Sequence, residues 1–279
     1  MDETCTGAKR LGRIAGIGLG TAPFAFRDGT AEEAATTVHA ALDAGIGLID
    51  TALAYTRPGI ASYAEQVVAD ALRGINGERP LVATKGGHWR DGDRFPIDGR
   101  PAVLRAHCEI SLRTLGVDRI DLYFLHHVDP TVPLTDSVGA LEQLRREGKI
   151  AAIGLSNVTI AQLDEALAVA PVEAVQNRLS YADPADLPTA LACARRGLRY
   201  LAYAPLAALS GPRLAAALAV ARRHGASRQR VVLAWLREQA PGIVPLVGAS
   251  RPGSIRDSAN LLELTGDDLG ELGAAEEDR

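Results

Sequence analysis

The stretch Leu48-Ile49-Asp50-Thr51-Ala52-Leu53-Ala54-Tyr55 runs from apolar residues into a carboxylate and, five residues on, a phenol. Read as a buried strand, it leaves Asp50 at the strand's carboxyl end and Tyr55 on the loop just beyond. A free tyrosine has a pKa of about 10, so it serves as an acid near neutral pH only if something stabilises its phenolate. The next apolar run, Leu81-Val82-Ala83-Thr84, ends in Lys85, and the one after it, Ile120-Asp121-Leu122-Tyr123-Phe124-Leu125, ends in His126. Asp, Tyr, Lys and His thus stand in order at the ends of consecutive strands.

The same alternation extends outward. Strand-like runs fall at 14–18, 47–50, 81–84, 120–125, 151–155, 172–176, 200–203 and 243–247. Helix-period segments lie between them at 31–44, 61–72, 101–115, 134–147, 159–169, 185–196, 212–224 and 227–239, and another follows at 252–262. Start and stop signals agree: Asp28-Gly29-Thr30 opens one helix, Pro101 sits in the first turn of another, and Gly45, Gly116 and Gly148 close helices. Eight βα units in series predict an α/β fold, a (β/α)8 TIM barrel forming a single domain over 1–279, rather than an open doubly wound sheet. Residues before Ile14 are expected to plug the barrel's bottom. The acidic tail from Thr265 to Arg279 is expected to be short, with a disordered end.

Composition excludes other classes. The 279 residues are 47% hydrophobic and 23% charged, as in ordinary globular proteins. Net charge is −4 and the 30 basic residues form no stripe interleaved with aromatics, which argues against nucleic acid as a partner. No apolar run approaches the roughly 20 residues of a membrane span, and the acidic start Met1-Asp2-Glu3-Thr4 is no signal peptide. Cys5, Cys108 and Cys193 are widely spaced and read as free thiols in a reducing cytoplasm.

If Lys85 reaches both Asp50 and the Tyr55 hydroxyl, the cation favours phenolate while the carboxylate holds the lysine charged and in place. Tyr55 could then give a proton to a developing alkoxide, with His126 hydrogen-bonded to the same oxygen. That apparatus suits carbonyl reduction but contains no hydride, so a cofactor has to supply one. Adjacent His126 and His127, with Asp129 nearby, also raise a metal-dependent hydrolase. Neighbouring strand residues point to opposite faces, so the two histidines are not expected to share an ion, and His127 is expected to be structural or on the outer wall. His39 and His107 are expected on helix surfaces.

The set Gly18-Leu19-Gly20-Thr21, Asp50-Thr51-Ala52-Leu53-Ala54-Tyr55, Thr84-Lys85, Asp121-Leu122-Tyr123-Phe124-Leu125-His126, Gly154-Leu155-Ser156-Asn157 and Val175-Gln176-Asn177 resembles the aldo-keto reductase superfamily over about Leu11 to Leu262. The resemblance implies NADPH-dependent reduction of a small-molecule aldehyde or ketone, without metal. It assigns Tyr55 as general acid/base, Lys85 and Asp50 as its tuning pair, and His126 as the carbonyl-orienting group. Ser156, Asn157 and Gln176 would hold the nicotinamide carboxamide, and Tyr203 would stack on the ring. Gly20, Thr21 and Ala22 would line the cofactor near the ribose, with Leu206 approaching the pyrophosphate. The resemblance leaves open a second reading, a cofactor-binding regulatory subunit with little turnover.

The adenosine end departs from the family pattern. In Val247-Gly248-Ala249-Ser250-Arg251-Pro252-Gly253-Ser254, Gly248 falls where a lysine is expected and Ser254 where an arginine or glutamine is common. Ser250 and Arg251, with the start of the following helix, remain to grip a 2′-phosphate, and NADPH is expected rather than NADH. The long third βα loop, Gly86 to Arg100, places Trp89 with Phe24 and Phe26 as candidate walls of an open substrate pocket.

Overall fold

The computed structural model describes residues 11–277 except 13, 15 and 76. Eight parallel strands, β1 (Gly18–Gly20), β2 (Leu48–Asp50), β3 (Leu81–Gly86), β4 (Leu122–Leu125), β5 (Ile153–Ser156), β6 (Ala174–Arg178), β7 (Arg199–Tyr203) and β8 (Ile243–Gly248), pair in chain order. The barrel closes where Gly20 of β1 registers with Asp50 on one side and Gly248 on the other.

Two apolar clusters follow from the two-residue strand period. Leu48, Leu81, Ala83, Leu122, Phe124, Ala152, Ala174, Leu201, Val244 and Leu246 fill the interior, joined by Leu11 and Ile14. Ile49, Tyr123, Leu125, Leu155 and Val175 point outward against the helices. The interior is tight: a Cβ on Gly154 would lie 2.3 Å from the Phe124 ring, so only glycine fits there. Counting two residues on from the interior positions reaches Asp50, Lys85, His126, Ser156, Gln176, Tyr203 and Gly248. Strand parity therefore aims the six of these that lie within strands at the barrel axis, at its carboxyl-terminal mouth, and His126 follows one residue past the end of β4.

Local signals set the helix boundaries. Thr30 Oγ1 accepts from Glu33 N–H at 3.1 Å while Thr30 N–H donates to Glu33 Oε2 at 2.8 Å, a reciprocal cap for the helix Ala31–Asp43. Gly116, at φ 64°, ends the helix Pro101–Leu115.

Three details differ from the sequence expectations. The first strand begins at Gly18 rather than Ile14, because Gly16 turns the chain at φ 81° and Ile14 joins the interior cluster instead. A short helix, Ala22–Phe26, occupies the first βα loop. The acidic tail forms the helix Gly266–Glu277, anchored by fully buried Leu272 and Asp268. The expected plug lies mostly outside the described residues, as does Cys5. Cys108 and Cys193 are buried free thiols, which burial pushes up to about 12. No helix among the described residues is long and apolar enough to cross a membrane.

Candidate active site

Lys85, fully buried, spends its ammonium on three neighbours. Nζ donates to Asp50 Oδ1 and Oδ2 at 2.7 and 2.8 Å, to the Thr51 carbonyl at 2.7 Å, and to the Tyr55 hydroxyl at 3.4 Å. Asp50 also accepts from Gln176 Nε2 at 2.8 Å. The carboxylate is thus held from two strands, and it in turn holds the lysine beneath the phenol. Tyr55 reaches the site because the loop after β2 folds back, its own N–H bonded to the Ala52 carbonyl at 3.0 Å.

Burial dominates the electrostatics. It raises the Tyr55 phenol above its ordinary 10.0, with Lys85 pulling down and Asp50 pushing up. Burial also works against the Lys85 charge, but Asp50 and the phenol more than offset it, so the ammonium sits above 10.5. Tyr55 is a neutral proton donor whose ionisation the lysine makes less costly than burial alone would. His126 is held well below 6.5, first by burial and then by Lys85, His88 and His127. Its buried Nδ1 has no hydrogen-bond partner among the described residues.

A groove of about 470 Å³ runs from this cluster across the barrel mouth. Gly20, Ala22, Asp50, Tyr55, His126, Ser156, Asn157, Gln176, Tyr203, Leu206 and Gly248 all line it. Ser156 Oγ donates to the Gln176 carbonyl at 2.8 Å, Asn157 Nδ2 to the His126 carbonyl at 3.0 Å, and the Tyr203 hydroxyl to Asn157 Oδ1 at 2.8 Å. Asn157 and Ala204 adopt left-handed backbone, φ 58° and 52°, and both line the groove. Strain of this kind collects at binding sites.

Other expected residues lie elsewhere. Thr21 is fully buried, its Oγ1 donating to the Asp50 carbonyl at 3.0 Å, so it supports the groove without lining it. Phe24 is 2% exposed and belongs to the core, leaving Phe26 at the surface. Trp89 packs on His107 at 5.4 Å in a separate groove of about 570 Å³, which Arg57, Ile60 and Arg90 help to line. His107 is half-buried and accepts from Gly87 N–H, while His39 is exposed. Ser250 and Arg251 line a third cavity, facing Asp28, Glu32 and Glu33. Ser254 is exposed on the helix Pro252–Ala259 and lines none of these three.

His127 was expected to be structural or on the outer wall; it does not lie on the outer wall, its ring stacking on His126 at 5.0 Å and lining the groove. Strand alternation stops at Leu125, so the next two side chains no longer diverge. Asp129 is committed to its own loop, accepting from Thr131 N–H and Oγ1 and from Gly99 N–H. Among the described residues no group of three or more His, Cys, Asp or Glu side chains is arranged to hold a metal ion. Pro205 and Ala207 line the groove as neighbours of Leu206; Pro23, Arg27 and Leu246 line it without a sequence expectation, and of these only Leu246 had a usable signal, the parity of β8.

The fold and this site define a (β/α)8 barrel with a buried Asp–Lys–Tyr cluster at the edge of a groove across its mouth. The Aldo/keto reductase family model matches residues 16–277. An uncharacterized oxidoreductase of Schizosaccharomyces pombe is 31% identical over 215 residues, covering 76% of this chain and 68% of that protein. The glycerol dehydrogenase of Gluconobacter oxydans superposes with a TM-score of 0.80 at 28% identity, over 93% of this chain and 90% of that one. An aldo/keto reductase from Klebsiella pneumoniae, in complex with NADP and acetate, gives 0.79 at 27%, over 94% and 91%. The chain belongs to the aldo/keto reductase family, and is an NAD(P)H-dependent oxidoreductase acting on small-molecule carbonyls.

Proposed function

We propose that the protein is an NADPH-dependent reductase of aldehydes or ketones in which Tyr55 is the general acid/base. The observation that carries this reading is the buried Lys85 ammonium, bonded to Asp50 and 3.4 Å from the Tyr55 hydroxyl at the edge of a groove. The donor set fits a dinucleotide. Gly20, Ala22 and Gly248 leave room along one wall, and Ser156, Asn157 and Gln176 offer amide and hydroxyl partners for a carboxamide. Tyr203 offers a ring face, and Leu206 flanks the expected pyrophosphate. Ser250 and Arg251 are the groups for a 2′-phosphate, opposed by the carboxylates of Asp28, Glu32 and Glu33.

When bound, the reduced nicotinamide supplies a hydride to the carbonyl carbon. His126, neutral and facing the groove, donates a hydrogen bond to the carbonyl oxygen and fixes its direction. As the C=O π pair moves onto oxygen, Tyr55 gives that oxygen its hydroxyl proton, yielding the alcohol. Lys85 stabilises the phenolate left behind, Asp50 keeps Lys85 in place, and Tyr55 recovers a proton from water.

The test is consumption of NADPH against a panel of aldehydes and ketones, with Tyr55→Phe alongside. The variant is expected to bind NADPH as before and to lose roughly 10²–10⁴ in turnover. Undiminished turnover in Tyr55→Phe overturns the assigned acid. NADPH binding with no turnover of any carbonyl by the parent protein overturns the reductase reading in favour of a cofactor-binding subunit.

A further inference from the structure

Five aromatic side chains form a closed circuit, two of them, Tyr55 and His126, lining the groove. Phe26 meets Tyr55 at a centroid distance of 5.9 Å, Tyr55 meets His126 at 6.0 Å, and His126 meets His88 at 4.9 Å. His88 stacks on Phe95 at 5.7 Å, and Phe95 returns to Phe26 at 6.0 Å. His127, against both His88 and His126, thickens one side. The circuit contains the proposed proton donor and the proposed carbonyl-orienting imidazole, and the other three rings come from two loops.

Phe26 and Phe95 are 50% and 39% exposed. Large apolar rings left at a surface in mutual contact, beside a catalytic group, mark a ligand wall. Both are braced. The Arg57 guanidinium bonds the Phe24 and Arg27 carbonyls on either side of Phe26. Arg90 lies over the Phe95 ring at 5.6 Å and ties that loop to the Thr56 carbonyl at 3.3 Å. His88 is oriented too: its Nδ1 is 3.0 Å from the Pro96 carbonyl, which can only accept, so Nδ1 carries the proton and Nε2 is an acceptor.

The circuit holds no ionised group at neutral pH. Burial keeps His88 below its ordinary value and brings His127 to about 4. The guanidiniums beside these rings are already engaged, Arg57 with the Phe24 and Arg27 carbonyls and Arg90 with the Gly92 and Thr56 carbonyls, so a carboxylate or phosphate on the substrate competes with those bonds. A polyhydroxylated carbonyl would exchange its hydration for ring edges and faces, with few polar partners. A flat, uncharged ring loses little hydration and gains edge-to-face contacts.

We propose that the substrate of this site is an uncharged aromatic aldehyde or ketone, with Phe26 and Phe95 as its specificity-determining residues. The proposal rests on the reductase reading above, since it names the carbonyl which that chemistry reduces.

The test compares kcat/KM of the full chain with NADPH for benzaldehyde, para-carboxybenzaldehyde and glyceraldehyde, in the parent protein and in Phe26→Ala and Phe95→Ala. Benzaldehyde is expected to lead the other two by about tenfold or more, and each variant to cut the benzaldehyde-to-glyceraldehyde ratio by about tenfold. Preference for glyceraldehyde or the carboxylated ring overturns the proposal and leaves the reductase reading intact. So does a ratio that neither variant changes. No turnover of any of the three, despite NADPH binding, removes the proposal together with the reading beneath it.

Discussion

At the scale of single residues, Lys85 is the keystone, because its three donors reach strand, loop and phenol at once. Its ammonium is held above its ordinary value, so the stability it contributes is full below about pH 10.4 and is lost only as pH rises through the higher folded value. Lys85→Met leaves Asp50, 3% exposed, without its counter-charge, and is expected to cost about 3–5 kcal/mol in thermal or denaturant melts. Adding Asp50→Asn should recover part of that loss. A single variant as stable as the parent protein would mean that the pair contributes nothing net. Tyr55 titrates above 10.0, and reduction needs its protonated form. The pH profile of kcat/KM for reduction is therefore expected to stay flat from neutrality to about pH 10; a fall centred near pH 7 would assign the proton to another group. The identities of these residues were legible from their positions at strand ends. The balance of terms on the phenol was not, because burial depends on everything that packs over the loop.

At the scale of elements, strands and their ends were the most readable feature, since a short continuous apolar run is a local property of the chain. The terminal helix Gly266–Glu277 was not read, because Gly266, Gly270 and Gly273 lower its propensity, although its acidic first turn favours a helix start. A local cap and tertiary contacts together form it. Thr265 Oγ1 accepts from Asp268 N–H at 3.2 Å and donates to Asp268 Oδ2 at 2.7 Å, while His224 Nε2 lies 2.8 Å from the same carboxylate and Arg223 pairs with it. Thr265→Ala is expected to cost about 1 kcal/mol in a thermal melt. Burial opposes the Asp268 charge, but these bonds outweigh it and lower its pKa, so its contribution is present above the unfolded value near 3.9 and lost as pH falls through the lower folded one. Asp268→Asn should therefore flatten the fall in melting temperature below pH 4. Within the barrel, Gly154→Ala drives a methyl into the Phe124 ring and is expected to destabilise by about 1–3 kcal/mol, with an interior repacking visible in near-UV circular dichroism.

At the scale of the whole molecule, closure between β1 and β8 carries Gly248 and the Ser250-Arg251 turn round to the first βα loop. The third cavity, where the adenosine end of the proposed cofactor would lie, thereby acquires a mixed wall, Arg251 against Asp28, Glu32 and Glu33. Arg251→Ala is expected to weaken NADPH binding by about tenfold while leaving NADH nearly unaffected, as measured by fluorescence titration. Equal losses for both cofactors would mean that Arg251 does not read the 2′-phosphate.

The sequence by itself determined that eight βα units follow one another, that the strands are buried on both faces, and that Asp50, Lys85 and His126 end up at one mouth. These are consequences of spacing and polarity within a few residues, which the chain carries whatever surrounds it. Only the tertiary structure decided that Phe26 rather than Phe24 faces outward, that Trp89 turns to a different groove, and that His88, His127 and Phe95 join Tyr55 in one ring of aromatics. Loop side chains have no period to follow. Their direction is set by cross-loop bonds such as Arg57 to Phe24 and His88 to Pro96, which exist only once the barrel has brought the loops together.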